Sequence, residues 1–283
     1  MRVPAFVACG LLEAAGDAPE ESPMTQRPRA LDDGEPDLAT PPSPLSRRAI
    51  LVAAGAALAP SLAAAAIAGF FVAGIGGRLA MFILRLTSGD RVVGLESDDG
   101  FIIGRFTTDT FGLVLALTVG ASIVAGPAYT IARLWFPQRW RPLVFASFLG
   151  VLGGAGLVHT DGVDFTVLSP RVLAVALFVA IPAAFGAVLE PLHELARRQT
   201  QRLPGGAFLV IGILAMGAPI VIGLDLPGIA LAALGWGAVL LGQGERIGQV
   251  LRSRPLAWAG WAGMVVVSAF AARDLASDVT ALF

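Results

Sequence analysis

The sequence predicts an all-α protein, a polytopic bundle of seven transmembrane helices behind a disordered N-terminal tail. Three observations carry this. Hydrophobic residues make up 55% of the 283 positions and charged residues only 14%, against about 25% charged in an ordinary soluble domain. Mean hydropathy is +0.75. The apolar residues fall into long runs separated by short loops whose arginine content alternates. A chain so poor in charge does not cover a water-facing surface, so its bulk belongs in lipid.

Residues 1–46 stand apart as the first of two regions. They hold eight acids (Glu13, Asp17, Glu20, Glu21, Asp32, Asp33, Glu35, Asp37) against three arginines (Arg2, Arg27, Arg29), together with eight prolines. Low hydrophobicity, proline and net negative charge predict a disordered acidic tail. The apolar run Met1–Leu12 contains Cys9 but is too short for the apolar region of a signal peptide. Residues 47–283 form the membrane domain. The sequence Ser46-Arg47-Arg48-Ala49-Ile50-Leu51 reads as a positive flank on the first helix, with a twin-arginine export signal as the competing reading.

A span needs about 20 apolar residues. The first candidate, Ala49–Leu86, is longer than that. The expectation is that Pro60 kinks or starts the crossing helix, leaving Ser61–Leu84 in lipid and Arg47–Ala59 as a lead-in along the interface. The other spans are Thr108–Leu134, Pro142–His159, Arg171–Glu190, Gly206–Leu224, Pro227–Gln243 and Pro255–Ala272. The fifth and sixth are joined only by Leu224–Leu226, as a tight hairpin or a re-entrant unit.

Arginine counts set the orientation. Arg47 and Arg48, then Arg133, Arg139 and Arg141, then Arg197, Arg198 and Arg202, then Arg246, Arg252 and Arg254 fall in every second loop. The loops between them are acidic or lack a base: Thr87–Thr107 carries Asp90, Glu96, Asp98 and Asp99 beside its two arginines, and Thr160–Pro170 has Asp161 and Asp164 alone. The expected arrangement has the N-terminus cytoplasmic and the C-terminus outside, with Trp135 and Trp140 anchoring the inner interface.

Composition also excludes chemistries. All 20 basic residues are arginine, so neither a Schiff-base lysine nor a P-loop lysine exists. Two histidines, His159 and His193, and one cysteine argue against a multi-histidine metal or haem site. Nothing points to nucleic acid. No G-x-S-x-G elbow occurs. Ala73-x-x-x-Gly77, Ser122-x-x-x-Gly126 and Gly150-x-x-x-Gly154 have the small-residue spacing of closely packed helices.

The candidate ligand or ion-pair residues are Arg78, Asp109, His159, Asp161 and Asp164. Arg78 follows Gly76-Gly77 and lies about 12 Å inside the first span at helical rise. A charge at that depth snorkels, pairs, or binds an anion. On the same side, Asp109 opens the second span in N-cap company. The run His159-Thr160-Asp161-Gly162-Val163-Asp164 reads as turn residues or ion-pair partners, with proton relay and divalent-metal ligation as alternatives. Glu190, His193 and Glu194 lie at the opposite, inner end and read as an interface cluster pairing with Arg197 and Arg198. No catalytic residue, resident metal or cofactor is assigned.

Gly77-Arg78-Leu79-Ala80-Met81, Ser97-Asp98-Asp99-Gly100-Phe101 with Gly104 and Phe106-Thr107, and His159–Phe165 resemble an uncharacterised family of bacterial multi-pass inner-membrane proteins. The resemblance covers roughly Arg47–Gly186, about half the chain. It implies a bacterial inner-membrane location and carries over no catalytic residues. Three functions are expected from the sequence. The first is a non-enzymatic scaffold or regulatory subunit with a membrane-protein partner or a second copy of itself. The second is a small-solute or ion-coupled transporter using Arg78 and the outer carboxylates. The third is a metal-dependent intramembrane enzyme at His159, Asp161 and Asp164.

Overall fold

The computed structural model describes residues 47–95, 103, 108–160, 162–200, 226–241 and 249–283. The acidic tail 1–46, the expected fifth span at 206–224, and Asp161 lie outside these residues. All regular elements among them are helical. Among the described residues, five helices are long and apolar enough to cross a membrane: Val52–Ser88, Thr110–Ala132, Gln138–Leu157, Arg171–Gln199 and Arg254–Leu282. They correspond to the first four and the last of the spans expected from hydropathy.

The first span is a single rod. α1 (Arg47–Ala68) continues through a π-helical stretch, Gly69–Gly76, into α2 (Gly77–Ser88). Pro60 lies inside α1 and does not start it. Nor do the residues before it form an interfacial lead-in: Ala54 and Leu58 are buried against Ile123, Trp236 and Val239. An internal proline removes one backbone hydrogen bond, and packing on both sides holds the rod through that gap. At 1.5 Å per residue the 37 residues of Val52–Ser88 reach about 55 Å, well beyond a hydrocarbon core of about 30 Å.

The second span has the same construction: α3 (Thr108–Gly120), a π-helical turn Ala121–Ala125, and α4 (Gly126–Ala132). The two π-helical stretches meet where the rods cross. A Cβ on Gly69 would lie 2.9 Å from the Ala121 Cβ and 2.9 Å from the Leu117 carbonyl oxygen. The Ser122 hydroxyl donates to the Leu62 carbonyl at 3.0 Å, and Gly126 faces the Leu62 backbone.

Small residues also join α5 (Arg141–Leu157) to α7 (Arg171–Thr200). Gly150 and Gly154 leave no room for a Cβ beside Ala183 and Val179, and Gly186 seats against the Phe145 carbonyl. Two of the three small-residue spacings therefore mark crossings, whereas Gly77 has open space beside it. With no solvent difference between leucine and lipid, such close approach is what holds helices together in a bilayer.

Between the third and fourth spans lies the short α6 (Val163–Val167). α8 (Leu226–Leu241) packs on the first two rods through Trp236, whose indole N–H donates to the Ile123 carbonyl at 3.2 Å. Its 16 residues span about 24 Å. α9 (Arg254–Leu282) touches the bundle along one edge, where Gly260 seats on the Trp135 ring and Leu275 on Gly154. Its remaining surface is open, with Trp258, Val265 and Phe270 all exposed. Phe111, 74% exposed, is equally bare; such surfaces suit hydrocarbon solvent rather than water.

Side-chain contacts sort the helix ends into two sets. At one end Leu84, Val92, Ile103, Val158, Phe165, Leu168, Ala174 and Leu282 form an apolar cluster. There the Ser88 hydroxyl donates to the Ser169 carbonyl, and Arg171 donates to the Leu282 carbonyl. At the other end Arg133, Arg139, Arg141, Arg197, Arg198, Arg252 and Arg254 gather at the end of α4, the start of α5, the end of α7 and the start of α9.

Candidate functional site

Of the sequence-predicted residues, the structure describes the side chains of Arg78 and His159. Arg78 is half-buried at the second position of α2, immediately after the π-helical stretch. His159 is exposed beyond the C-terminus of α5, its Nε2 bonded to the Gly156 carbonyl at 3.1 Å. Asp109 is the second residue of α3 and Asp164 lies in α6, but their side chains, like all of Asp161, are outside the described residues. The segments flanking Arg78 and His159 converge, because Leu84 and Val158 share the apolar cluster at that end. Among the described residues no three His, Cys, Asp or Glu side chains form a group that could hold a metal ion.

The more developed constellation lies at the arginine-rich end, inside the bundle. Two helical stripes build it. On α4, Tyr129 and Arg133 are four residues apart and share a face. On α7, Glu190, His193, Glu194 and Arg197 follow the i, i+3, i+4, i+7 pattern that puts them on one face. Ser61 on α1 and Arg141 at the start of α5 complete the ring. Ser61, Tyr129, Glu190 and His193 are buried.

Glu190 is the centre. Its Oε1 accepts from Arg141 Nη1 at 2.8 Å, and Arg133 Nη2 lies 3.9 Å from the same oxygen. Its Oε2 accepts from the Tyr129 hydroxyl. Arg141 also donates from Nε to the Phe136 carbonyl at 3.0 Å. Arg133 reaches Glu194 Oε1 at 3.3 Å and the His193 ring at Nε2. Glu194 Oε2 accepts from Arg197 Nε and Nη2. Burial falls off along this path: the Arg141 and Arg133 side chains are 15% and 20% exposed, and Arg197 is 47% exposed. The network thus runs from the bundle interior to the arginine-rich surface. Phe145, Phe136 and Leu189 form its apolar wall, with the Tyr129 and Phe145 rings edge-on at 4.8 Å.

The bonding fixes the His193 tautomer. A guanidinium only donates, so Nε2 is an acceptor and the ring proton is on Nδ1. Nδ1–H then donates to Ser61 Oγ, 3.0 Å away. A serine beside a histidine invites comparison with a nucleophile and its base, but this pair is not one. The ring nitrogen facing Ser61 carries a proton, so it has no lone pair with which to take the hydroxyl hydrogen. Ser61 is also fully buried, with no approach for a substrate.

The sequence reading had part of this cluster. The Glu194–Arg197 pair forms as expected. Glu190 and His193, by contrast, turn away from the interface and engage α1, α4 and α5. The available signals were two polar i, i+4 stripes, Tyr129/Arg133 and Glu190/Glu194, at the same end of two spans, and the fact that Tyr129 is the single tyrosine of the chain. No family model, no curated protein and no solved structure matches the chain.

Proposed function

We propose that the protein is a non-enzymatic scaffold or regulatory subunit of the bacterial inner membrane, with seven spans, a cytoplasmic N-terminus and an external C-terminus. The observation that carries this reading is the full engagement of the Glu190 carboxylate and the His193 imidazole within the buried cluster. Both Glu190 oxygens and both His193 nitrogens are already bonded within the protein, so the cluster presents neither a free base nor a free nucleophile. It is suited to holding α1, α4, α5 and α7 in one arrangement on which a membrane-protein partner, or a second copy of the chain, can assemble.

Chain direction supports the span count. α7 ends and α9 begins at the arginine-rich end, since Trp135 bonds the Leu251 carbonyl and Trp261 bonds the Trp135 carbonyl. The segment between them therefore crosses the membrane an even number of times. On the seven-span reading two crossings are assigned to α8 and to the apolar sequence Gly206–Leu224. The gathering of arginines at one end supports a cytoplasmic assignment for that end.

Photocrosslinking of the full chain in native membranes tests the function. A discrete crosslinked species, containing a membrane protein or a second copy, is the expected result. Its absence from every labelled helix face would overturn the proposal. Reporters fused after Phe283 test the topology, with a periplasm-active reporter expected to work and a cytoplasm-active one to fail.

One observation favours transport as a second reading. Nothing lies within 4 Å of a Cβ placed on Gly77, so there is open space beside the turn that carries Arg78. Reconstituted protein in which Arg78→Ala left solute flux unchanged would exclude a role for this residue.

A further inference from the structure

The exposed face of α9 is graded from charge to hydrocarbon. Arg254, Trp258, Trp261 and Val265 occur at i, i+4, i+7 and i+11, three helical turns on one face. All four are exposed, Trp258 to 71%. Ala262 and Ala269 lie beside them and are exposed too, so small side chains flank the stripe on that side. The inward edge, marked by Gly260, Ala271 and Leu275, faces the other way. Arg252 is exposed two residues before Arg254, so two guanidinium groups stand at the start of the stripe.

The tryptophans differ in one respect. Trp261 donates its N–H to the Trp135 carbonyl at 3.0 Å and stacks on Phe136 at 4.9 Å. Trp135 donates to the Leu251 carbonyl at 3.3 Å. These contacts fix the start of α9 against the end of α4. Among the described residues, the Trp258 indole N–H has no acceptor. It lies one turn, about 6 Å along the axis, below Arg254.

We infer that this stripe is a binding site for an anionic phospholipid of the leaflet at the arginine-rich face. From the surface inward, the site offers cations, an indole donor, a second indole and then aliphatic side chains. A phospholipid offers phosphate, ester carbonyls and acyl chain in the same order. Arg252 and Arg254 take the phosphate, where a guanidinium gives two parallel hydrogen bonds. The Trp258 N–H takes an ester carbonyl at the headgroup boundary. Ala262, Val265 and Ala269 line the acyl chain. The inference rests on residence in a bilayer and is independent of the scaffold reading.

The test uses the full chain in nanodiscs of phosphatidylcholine doped with lipid brominated on its acyl chains, as phosphatidylglycerol in one series and phosphatidylcholine in the other. Bromine quenches tryptophan fluorescence at contact. Quenching is expected at lower mole fraction for phosphatidylglycerol, by about fivefold for each arginine engaged. The difference should shrink in Trp258→Phe, which removes the more exposed of the two indoles of the stripe and leaves Trp261 to report. In Arg252→Gln/Arg254→Gln the two lipids should quench alike, while total quenching persists because Trp258 still faces lipid. Equal quenching by both lipids in the unaltered protein overturns the site. So does a headgroup preference that survives the double arginine substitution. Should that double variant fail to fold, a preference unchanged in both single variants, Arg252→Gln and Arg254→Gln, gives the same refutation.

Discussion

Replacing Glu190 with alanine removes the acceptor at the centre of the buried network. It strips a carboxylate from Arg141, 2.8 Å away, and from the Tyr129 hydroxyl, and leaves Arg133 with Glu194 and His193. Hydrogen bonds to a charged group contribute about 1.5–3 kcal/mol each, and breaking a buried ion pair by removing one partner costs about 3–5 kcal/mol. The two arginines are 15% and 20% exposed, so some of their charge is relieved by water at the interface. The expected loss is therefore near the lower bound, about 3 kcal/mol. Glu194→Ala is the internal control, since Arg133 keeps Glu190 and His193 without it, and its other partner Arg197 is 47% exposed, where a pair contributes about 0–1 kcal/mol. Unfolding of the purified protein in mixed micelles by increasing SDS, followed by circular dichroism, measures both. The reasoning fails if Glu190→Ala unfolds with the unaltered protein, or if Glu194→Ala is as damaged as Glu190→Ala.

Three further outcomes are expected. Tyr129→Phe deletes a single bond to the same carboxylate and should cost about 1–2 kcal/mol in the same assay, less than Glu190→Ala. Gly186→Ala pushes a methyl group into the Phe145 carbonyl and should destabilise by about 1–3 kcal/mol; Gly77→Ala has open space and should stabilise by up to about 1 kcal/mol, so equal effects would contradict the α5–α7 packing. Nitrogen-15 NMR of labelled His193 should show a protonated Nδ1 and a bare Nε2, and the reverse tautomer would break the chain from Arg133 to Ser61.

Hydropathy made much of the bundle legible, because a run of some 20 apolar residues has only one stable environment and one stable backbone in it. That is why five of the expected spans appear as long helices, the second and third within four residues of the expected bounds, the first, fourth and last running nine or ten residues beyond them at one end. At Pro60 the sequence leaves a kink and a helix start open, and the helix runs through it, because a proline's local effect is plain in sequence while the neighbours that tolerate it are not. Ala54 and Leu58 are held by Ile123 and Trp236, residues 65 or more positions away. The polar site was harder to read for the same reason. Arg78 drew attention as a charge deep inside a span, whereas Tyr129, Arg133, Glu190 and His193 each resemble ordinary interface flanks within their own helix. Only the assembly of four helices makes them one buried cluster.

The same end of the bundle answers two separate requirements, and the residues divide between them. Glycines at the crossings set how closely the helices approach but specify little about rotation, since a smooth small-residue surface slides. A directional network fixes rotation and register: Arg141 meets Glu190 only if the start of α5 lies beside the last turns of α7, and His193 meets Ser61 only if α1 turns that face inward. Arginines at this end also bias insertion. Arg133 and Arg141 are directed into the network, whereas Arg139, Arg197, Arg198, Arg252 and Arg254 remain exposed. Acidic residues contribute little to the insertion bias, so Glu190→Gln should loosen the packing while leaving the orientation unchanged. Arg141→Gln should loosen it comparably, and the five exposed arginines should still hold the termini on their sides. If instead Arg141→Gln inverted the chain in reporter fusions while leaving SDS resistance intact, Arg141 would belong to topology and the packing role assigned to it would be wrong.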